Sequence, residues 1–436
     1  MPGSAHTLPD FTGRVVGDGR YQIMRKLGNG SYGAVYQALD TTAQDEKSTL
    51  RAIKIMRKDN LSDKEVSNLQ RELYLHRVMS ADPGVVSYHH SFEDRHYVYV
   101  VLDFISGGDL FTKITKGDAY YRNDDAIKRD FVQILDAVLA CHRKRIFHRD
   151  LKPENILCGE DGSIRLADFG LATTQRVSTT FGCGSSTYMS PECIGWETKK
   201  VPYTTKHNDT WALGVILVNM ITLRSPWARA TTKDDTFHDF IVDENHLLEV
   251  LPISKGANSI IKRMLQLEHY GRADLRAVRK AVLDVDTFFP TDEQVARAPL
   301  PVQLIWADYN AKFTSPKGTK GVRRVAKPQP KVVVPRAKPH AASPVANLKH
   351  TAAARKGAEN HRRRGRLSPS GTVDSTDSEG PLTPVDDVTP PIVFVKVPSL
   401  FEQDLGDASL LETLNTKPVV APCPLRVIKG SGMVMV

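Results

Sequence analysis

A chain of 436 residues exceeds one average domain, and its net charge of +9 is unevenly spread: sixteen Lys and Arg fall between positions 312 and 366 against Glu359 alone, leaving the remainder neutral to acidic. Five cysteines with no CxxC pair argue against a zinc ribbon or a disulfide framework, and no apolar run reaches the eighteen or so residues of a membrane span. Residues 1–10 lack the basic-then-apolar pattern of a signal peptide and Pro2 excludes N-myristoylation, so cytoplasm, nucleus or both is the expected location, with no membrane partner.

Residues 1–20 show no periodicity and read as a disordered leader, with order expected from Tyr21. Leu27, Gly28, Asn29, Gly30, Ser31, Tyr32, Gly33, Ala34, Val35 and Tyr36 then read as strand, glycine turn, strand. Glycines there let backbone amides close over phosphates without side-chain clash, although a plain glycine-rich hairpin is an equal reading of that string alone. A strand rather than a helix follows, which argues against a dinucleotide fold. Positions 50–55 alternate as a half-buried strand carrying Ala52 and Lys54. Ser62 and Glu65 have capping-box spacing, opening a helix to about Val78 on which Glu72 lies eighteen residues after Lys54. Alone, Glu72 would be a solvated helix face.

A β-branched and aromatic run at 97–102 reads as a central strand, broken at Gly107 and Gly108. Asp109 opens a helix, and 124–143 reads as a long amphipathic one. Two short strands, 156–158 and 164–166, bracket the turn at 159–162, and the run 211–221 with Asn219 reads as a buried helix. After Phe289 and Pro290 the pattern stops, and 290–436 is Pro-, Ala- and Ser-rich with few aromatics, hence an expected disordered tail.

The chemistry concentrates in the octet 148–155, His-Arg-Asp-Leu-Lys-Pro-Glu-Asn, followed by Asp168-Phe169-Gly170. Metal-assisted phosphoryl transfer to an alcohol needs such a set of carboxylates, an amide and an ammonium. Asp150 would orient and deprotonate the hydroxyl, Lys152 would reach the moving phosphoryl oxygen, and Asn155 with Asp168 would offer hard oxygen ligands suited to Mg²⁺.

This octet and its spaced Asp-Phe-Gly resemble the catalytic loop of eukaryotic protein kinases, with Lys152 placing the chain on the serine/threonine branch. The resemblance covers residues 21–289 and implies an α+β, bilobal protein-kinase fold, with a β-rich lobe at 21–104 and a helical lobe at 105–289, using ATP and Mg²⁺. It implies that Leu27 to Gly33, Val35, Ala52, Leu102, Asp103, Ile105 and Leu157 surround the nucleotide, Leu102 guarding the back of the adenine pocket. Lys54 would anchor phosphates and Glu72 would fix Lys54. The family's usual Val is Arg51 here, at a position expected to face solvent. His76 falls where the family stacks an apolar residue on the Phe of Asp-Phe-Gly, so packing is favoured over a pH switch. Arg272 is spaced as the partner of Glu192.

Ser185 would bridge the base and the lysine, although Ser186 replaces the family's proline, and Asp109 with Glu154 are similar to the acidic pair that reads Arg upstream of the target. Arg149 implies a phosphate acceptor on the activation segment, with Thr173, Thr174, Ser178, Thr179 and Thr180 as candidates. The wording of residues 107–111, 131–138 and 181–192 is similar to fungal kinases linked to nutrient sensing and the restraint of mating and meiosis. Protein substrates are the expected partners, with other kinases acting at Ser315, Ser343, Ser368, Thr383 and Thr389, each before proline. Arg362, Arg363, Arg364 and Arg366 could direct nuclear import, hold nucleic acid or simply solvate a linker; no aromatics interleave, so nucleic acid is not the expected main partner. The alternatives to an active kinase are a pseudokinase scaffold, which would lack one of Lys54, Asp150, Asn155 or Asp168, and a nucleic-acid-associated regulator acting through the tail.

Overall fold

The structure is a computed structural model that describes residues 8–30, 33–44, 49–58, 61–116, 118–195 and 197–314. Ser31, Tyr32 and every tail residue considered above lie outside the described residues.

Six antiparallel strands form the first sheet in the order β1-β2-β3-β4-β6-β5: β1 (Val15–Val16), β2 (Tyr21–Gly30), β3 (Gly33–Asp40), β4 (Leu50–Arg57), β5 (Tyr88–Glu93) and β6 (Tyr97–Asp103). Alternation of apolar and polar residues lets one face bury Tyr21, Ile23, Tyr36, Ile53 and Tyr99 in a single cluster. The helix Asp63–Met79 starts where the capping box predicts, since the Ser62 backbone N–H donates to Glu65 Oε2 at 2.8 Å and the Glu65 N–H donates back to Ser62 Oγ at 3.4 Å. That cap directs Glu72 inward.

The second lobe is helical around Asp124–Arg143 and Thr205–Thr222. The first matches the expected helix, with Asn123 accepting from the Ala126 N–H at its start. The second begins six residues before the apolar run, because Thr205, Asn208 and Asp209 are buried too. The short pair β7 (Ile156–Cys158) and β8 (Ile164–Leu166) holds the turn expected between Asn155 and Asp168.

Three expectations are corrected. Residues 8–20 are not a disordered leader: Phe11 is buried, edge-on to Tyr36, Tyr97 and Tyr99, and β1 pairs with β2. A single aromatic anchor gives no periodicity, which is why the segment read as unstructured. Nor does order stop at 289. Helices Asp292–Ala296 and Leu300–Thr314 follow, and Trp306 and Tyr309 are buried against the helical lobe, so the tail assigned to 290–436 begins no earlier than 315. Arg51, finally, does not face solvent; its side chain is 12% exposed and lies 3.9 Å from Asp103.

Candidate active site

Between the sheet and the helical lobe the groups expected to act together converge. The Lys54 Nζ donates to Glu72 Oε1 at 2.5 Å and lies 3.4 Å from Asp168 Oδ1. Burial alone would lower the pKa of this ammonium, yet the two carboxylates raise it above its ordinary value. For Asp168 burial pushes upward, and Lys54 with His148 outweighs it, holding the carboxyl below the usual range. Both groups are therefore charged at neutral pH.

Across the cleft, Asp150 is held from four sides. Its Oδ1 accepts from the Ser185 backbone N–H at 2.9 Å and the Ser185 hydroxyl at 3.0 Å, while Oδ2 accepts from Lys152 Nζ at 2.8 Å and Asn155 Nδ2 at 3.2 Å. Lys152 also reaches Ser185 Oγ at 3.0 Å, so the bridging role implied for Ser185 is present. Gly184 makes that approach possible: at φ +111° a side chain is strained, and a Cβ would fall 2.7 Å from the Arg149 carbonyl oxygen.

The loop itself hangs on a residue whose role the sequence did not disclose. Asp209, fully buried, accepts from the backbone N–H of His148 at 3.0 Å, that of Arg149 at 2.8 Å and His142 Nε2 at 2.8 Å. A carboxylate at the head of a strongly apolar run was the available signal, since an acid is almost never buried without partners. With this support Arg149 (φ +66°) and Asp168 (φ +62°) adopt left-handed backbone that non-glycine residues seldom take.

Phe169 is buried between His148, ring centroids 5.3 Å apart, and His76, stacked at 5.1 Å. His76 donates from Nε2 to the Val86 carbonyl at 2.7 Å, and burial, aided by Lys54, lowers its pKa to about 4. It stays neutral near pH 7, so the packing reading holds over the pH switch.

On the nucleotide side, β3 and β4 present Val35 and Ala52, and a Cβ at Gly33 would collide with the Ile55 carbonyl, which explains that glycine on packing grounds. Leu27 is exposed, Gly28 and Asn29 continue β2, Gly30 pairs with Gly33, and Leu102, Asp103 and Ile105 lead from β6 to the second lobe, with Leu157 half-buried on β7. The Asp103 carboxylate is held by His89 at 2.7 Å and Arg165 at 3.2 Å. The donor set fits a magnesium nucleotide: Asn155 Nδ2 is spent on Asp150, which leaves its amide oxygen available beside a charged Asp168 whose side chain is 40% exposed.

Of the residues expected to face substrate, Glu154 is exposed and Asp109 is half-buried, with Oδ1 accepting from the Thr112 N–H at 2.6 Å. Ser178 is buried in a two-residue strand paired with Tyr203–Thr204, whereas Thr179 and Thr180 are exposed. The Arg149 guanidinium reaches the Tyr203 hydroxyl at 3.5 Å, and that hydroxyl donates to the Thr180 carbonyl at 2.9 Å. Arg272 meets Glu192 through two hydrogen bonds, Nη2 to Oε2 at 2.9 Å, as the spacing predicted.

Comparison with known proteins agrees with this geometry. The protein kinase domain model matches residues 21–282. A negative regulator of sexual conjugation and meiosis from Schizosaccharomyces pombe is 41% identical over 320 residues, covering 69% of this chain and 65% of that protein. The serine/threonine-protein kinase ksp1 of the same yeast is 35% identical, covering 63% of this chain and 59% of its own length. Human NUAK family SNF1-like kinase 2 is 32% identical, covering 59% and 39%. This chain thus spans about three-fifths to two-thirds of the two yeast proteins.

Proposed function

This chain belongs to the protein kinase family, and we propose that it is an ATP-dependent serine/threonine protein kinase that phosphorylates protein substrates carrying Arg upstream of the target hydroxyl. The observation that carries the activity is the complete set around the cleft: Lys54 paired with Glu72, and Asp150 held by Ser185, Lys152 and Asn155. A pseudokinase would lack a member, and none is missing.

In the transfer, the substrate hydroxyl oxygen forms a bond to the γ-phosphorus as the bond to the bridging oxygen of the leaving diphosphate breaks, and the hydroxyl proton passes to Asp150. Ser185 and Asn155 fix the Asp150 carboxylate so that no reorganisation is needed at that moment. Lys152 sits where it can stabilise charge on the moving phosphoryl group. Lys54, kept protonated and immobile by Glu72, holds nucleotide phosphates in line. Asn155 and Asp168 would hold Mg²⁺, which neutralises phosphate charge when bound.

Incubation of the purified chain with radiolabelled ATP, Mg²⁺ and a degenerate peptide library tests this. Label on Ser/Thr peptides, absent with Asp168→Asn, is expected; no transfer to any hydroxyl peptide would overturn the activity. Glu154 supports the Arg preference as an exposed carboxylate within the catalytic loop, and a proline-directed profile would refute that part alone. Thr179 and Thr180 are the accessible hydroxyls of the candidate phosphosites, and full activity after phosphatase treatment would dispose of activation through them. Similarity to the yeast regulator of conjugation and meiosis supports a place in nutrient or differentiation signalling. Disruption of the gene should then alter mating or the response to starvation.

A further inference from the structure

A cavity of about 490 Å³ lies on the helical lobe, walled by Arg143, Arg145, Arg176, Lys206 and Arg276 against one carboxylate, Asp274. Lys206 already neutralises Asp274 at 2.8 Å. Arg143, Arg145, Arg176 and Arg276 are all exposed, and Arg276 joins Lys206 in lowering the pKa of Asp274. Four cations around one concavity raise its potential and attract an anion. His142 lines the cavity with a side chain 6% exposed, and its Nε2 donates to Asp209.

We propose that this cavity is a docking site for a peptide bearing phosphoserine or phosphothreonine, separate from the cleft where transfer occurs. Guanidinium forks match phosphate oxygens in pairs, which makes arginine the residue suited to that group. The two apolar walls, Leu139 and Phe147, are buried, so the accessible lining is largely cationic. Occupancy also touches the catalytic loop. The Asp209 carboxylate that holds His142 holds the backbone of His148 and Arg149, and Arg176 follows Asp168 on the activation segment. A kinase that docks phosphorylated protein here would favour targets already modified elsewhere.

Binding is read on the full chain by fluorescence anisotropy, independently of catalysis, with a fluorescein-labelled Ala/Gly/Ser peptide carrying one phosphoserine and its unphosphorylated twin. The phosphorylated form should bind at least tenfold tighter at physiological salt. The variant Arg143→Gln with Arg145→Gln and Arg276→Gln should lose that preference, and Lys at the same three positions should restore part of it, which a folding defect would not. Arg362→Gln with Arg363→Gln, Arg364→Gln and Arg366→Gln should keep it. Equal binding of the two peptides, or a preference that survives the first variant and disappears in the last, overturns the proposal.

Discussion

Asp150 receives hydrogen bonds from an ammonium, an amide and a hydroxyl, yet it must still accept a proton from substrate, and only its carboxylate can. Asp150→Asn keeps the size and most of the bonds while removing that basicity. Turnover should fall by roughly 10²–10⁴ with the KM for ATP nearly unchanged, as measured in steady-state peptide assays. His76 supports a prediction about stability. Its folded pKa of about 4 lies below the ordinary value of 6.5, so between those limits the unfolded chain binds a proton that the folded one refuses. Its contribution is therefore flat above pH 6.5 and is lost as pH falls toward 4, by as much as ~3 kcal/mol. His207 shares the window, lowered to about 4 by burial and by Arg272. Urea denaturation at pH 5 and pH 7 should show His76→Leu flattening part of this slope; an unchanged slope would show that His76 is not its source. Catalytic residues were legible in the sequence because chemistry dictates their identity; Asp209 was legible only as the start of a buried helix, and its hold with His142 on the catalytic loop was not, because that work is done on backbone and on each other.

Glu192, on the short helix Pro191–Ile194, ties the end of the activation segment to Arg272, which also donates to the Gln266 and His207 carbonyls and lies over the Trp211 ring at 4.7 Å. Both side chains are nearly inaccessible, at 0% and 6% exposure. Glu192→Gln leaves a buried guanidinium without its counter-charge, and stability should drop by about 3–5 kcal/mol in chemical denaturation. A loss below ~1 kcal/mol would mean that water enters and solvates the arginine. The pair was visible from spacing, as were the capped helix Asp63–Met79 and the helix Asp124–Arg143, since each has its signal within a few residues. The start of Thr205–Thr222 was hidden, for its first turns carry polar side chains that are satisfied internally: Thr205 Oγ1 donates to the Gln175 carbonyl at 2.8 Å, and Asn208 Oδ1 accepts from Ser190 Oγ at 2.9 Å. Local pattern reports the face an element shows to solvent, and a polar face bonded inside the protein looks the same.

At the scale of the molecule, the two ends of the kinase homology are closed by segments whose composition concealed them. Pro299 and Pro301 flank Leu300 at the opening of the last helix, yet Val302, Trp306, Tyr309 and Phe313 recur at helical spacing beyond it. They meet Tyr121 and Phe289, with Tyr121 to Phe313 centroids at 4.8 Å, and Tyr121 donates to Asn310 Oδ1 at 2.8 Å. Burying Trp306 and Tyr309 contributes about 1.5–3 kcal/mol each, a large part of the ~5–15 kcal/mol that holds a domain together. A chain ending at residue 290 should therefore melt well below one ending at 314, and be prone to aggregate through the exposed faces of Tyr121 and Phe289. The longer truncation should keep peptide phosphorylation, because every group of the cleft lies before residue 290. Equal melting temperatures for the two truncations would show that the last helix contributes nothing, while loss of transfer on removing 315–436 alone would place a requirement for activity within those residues.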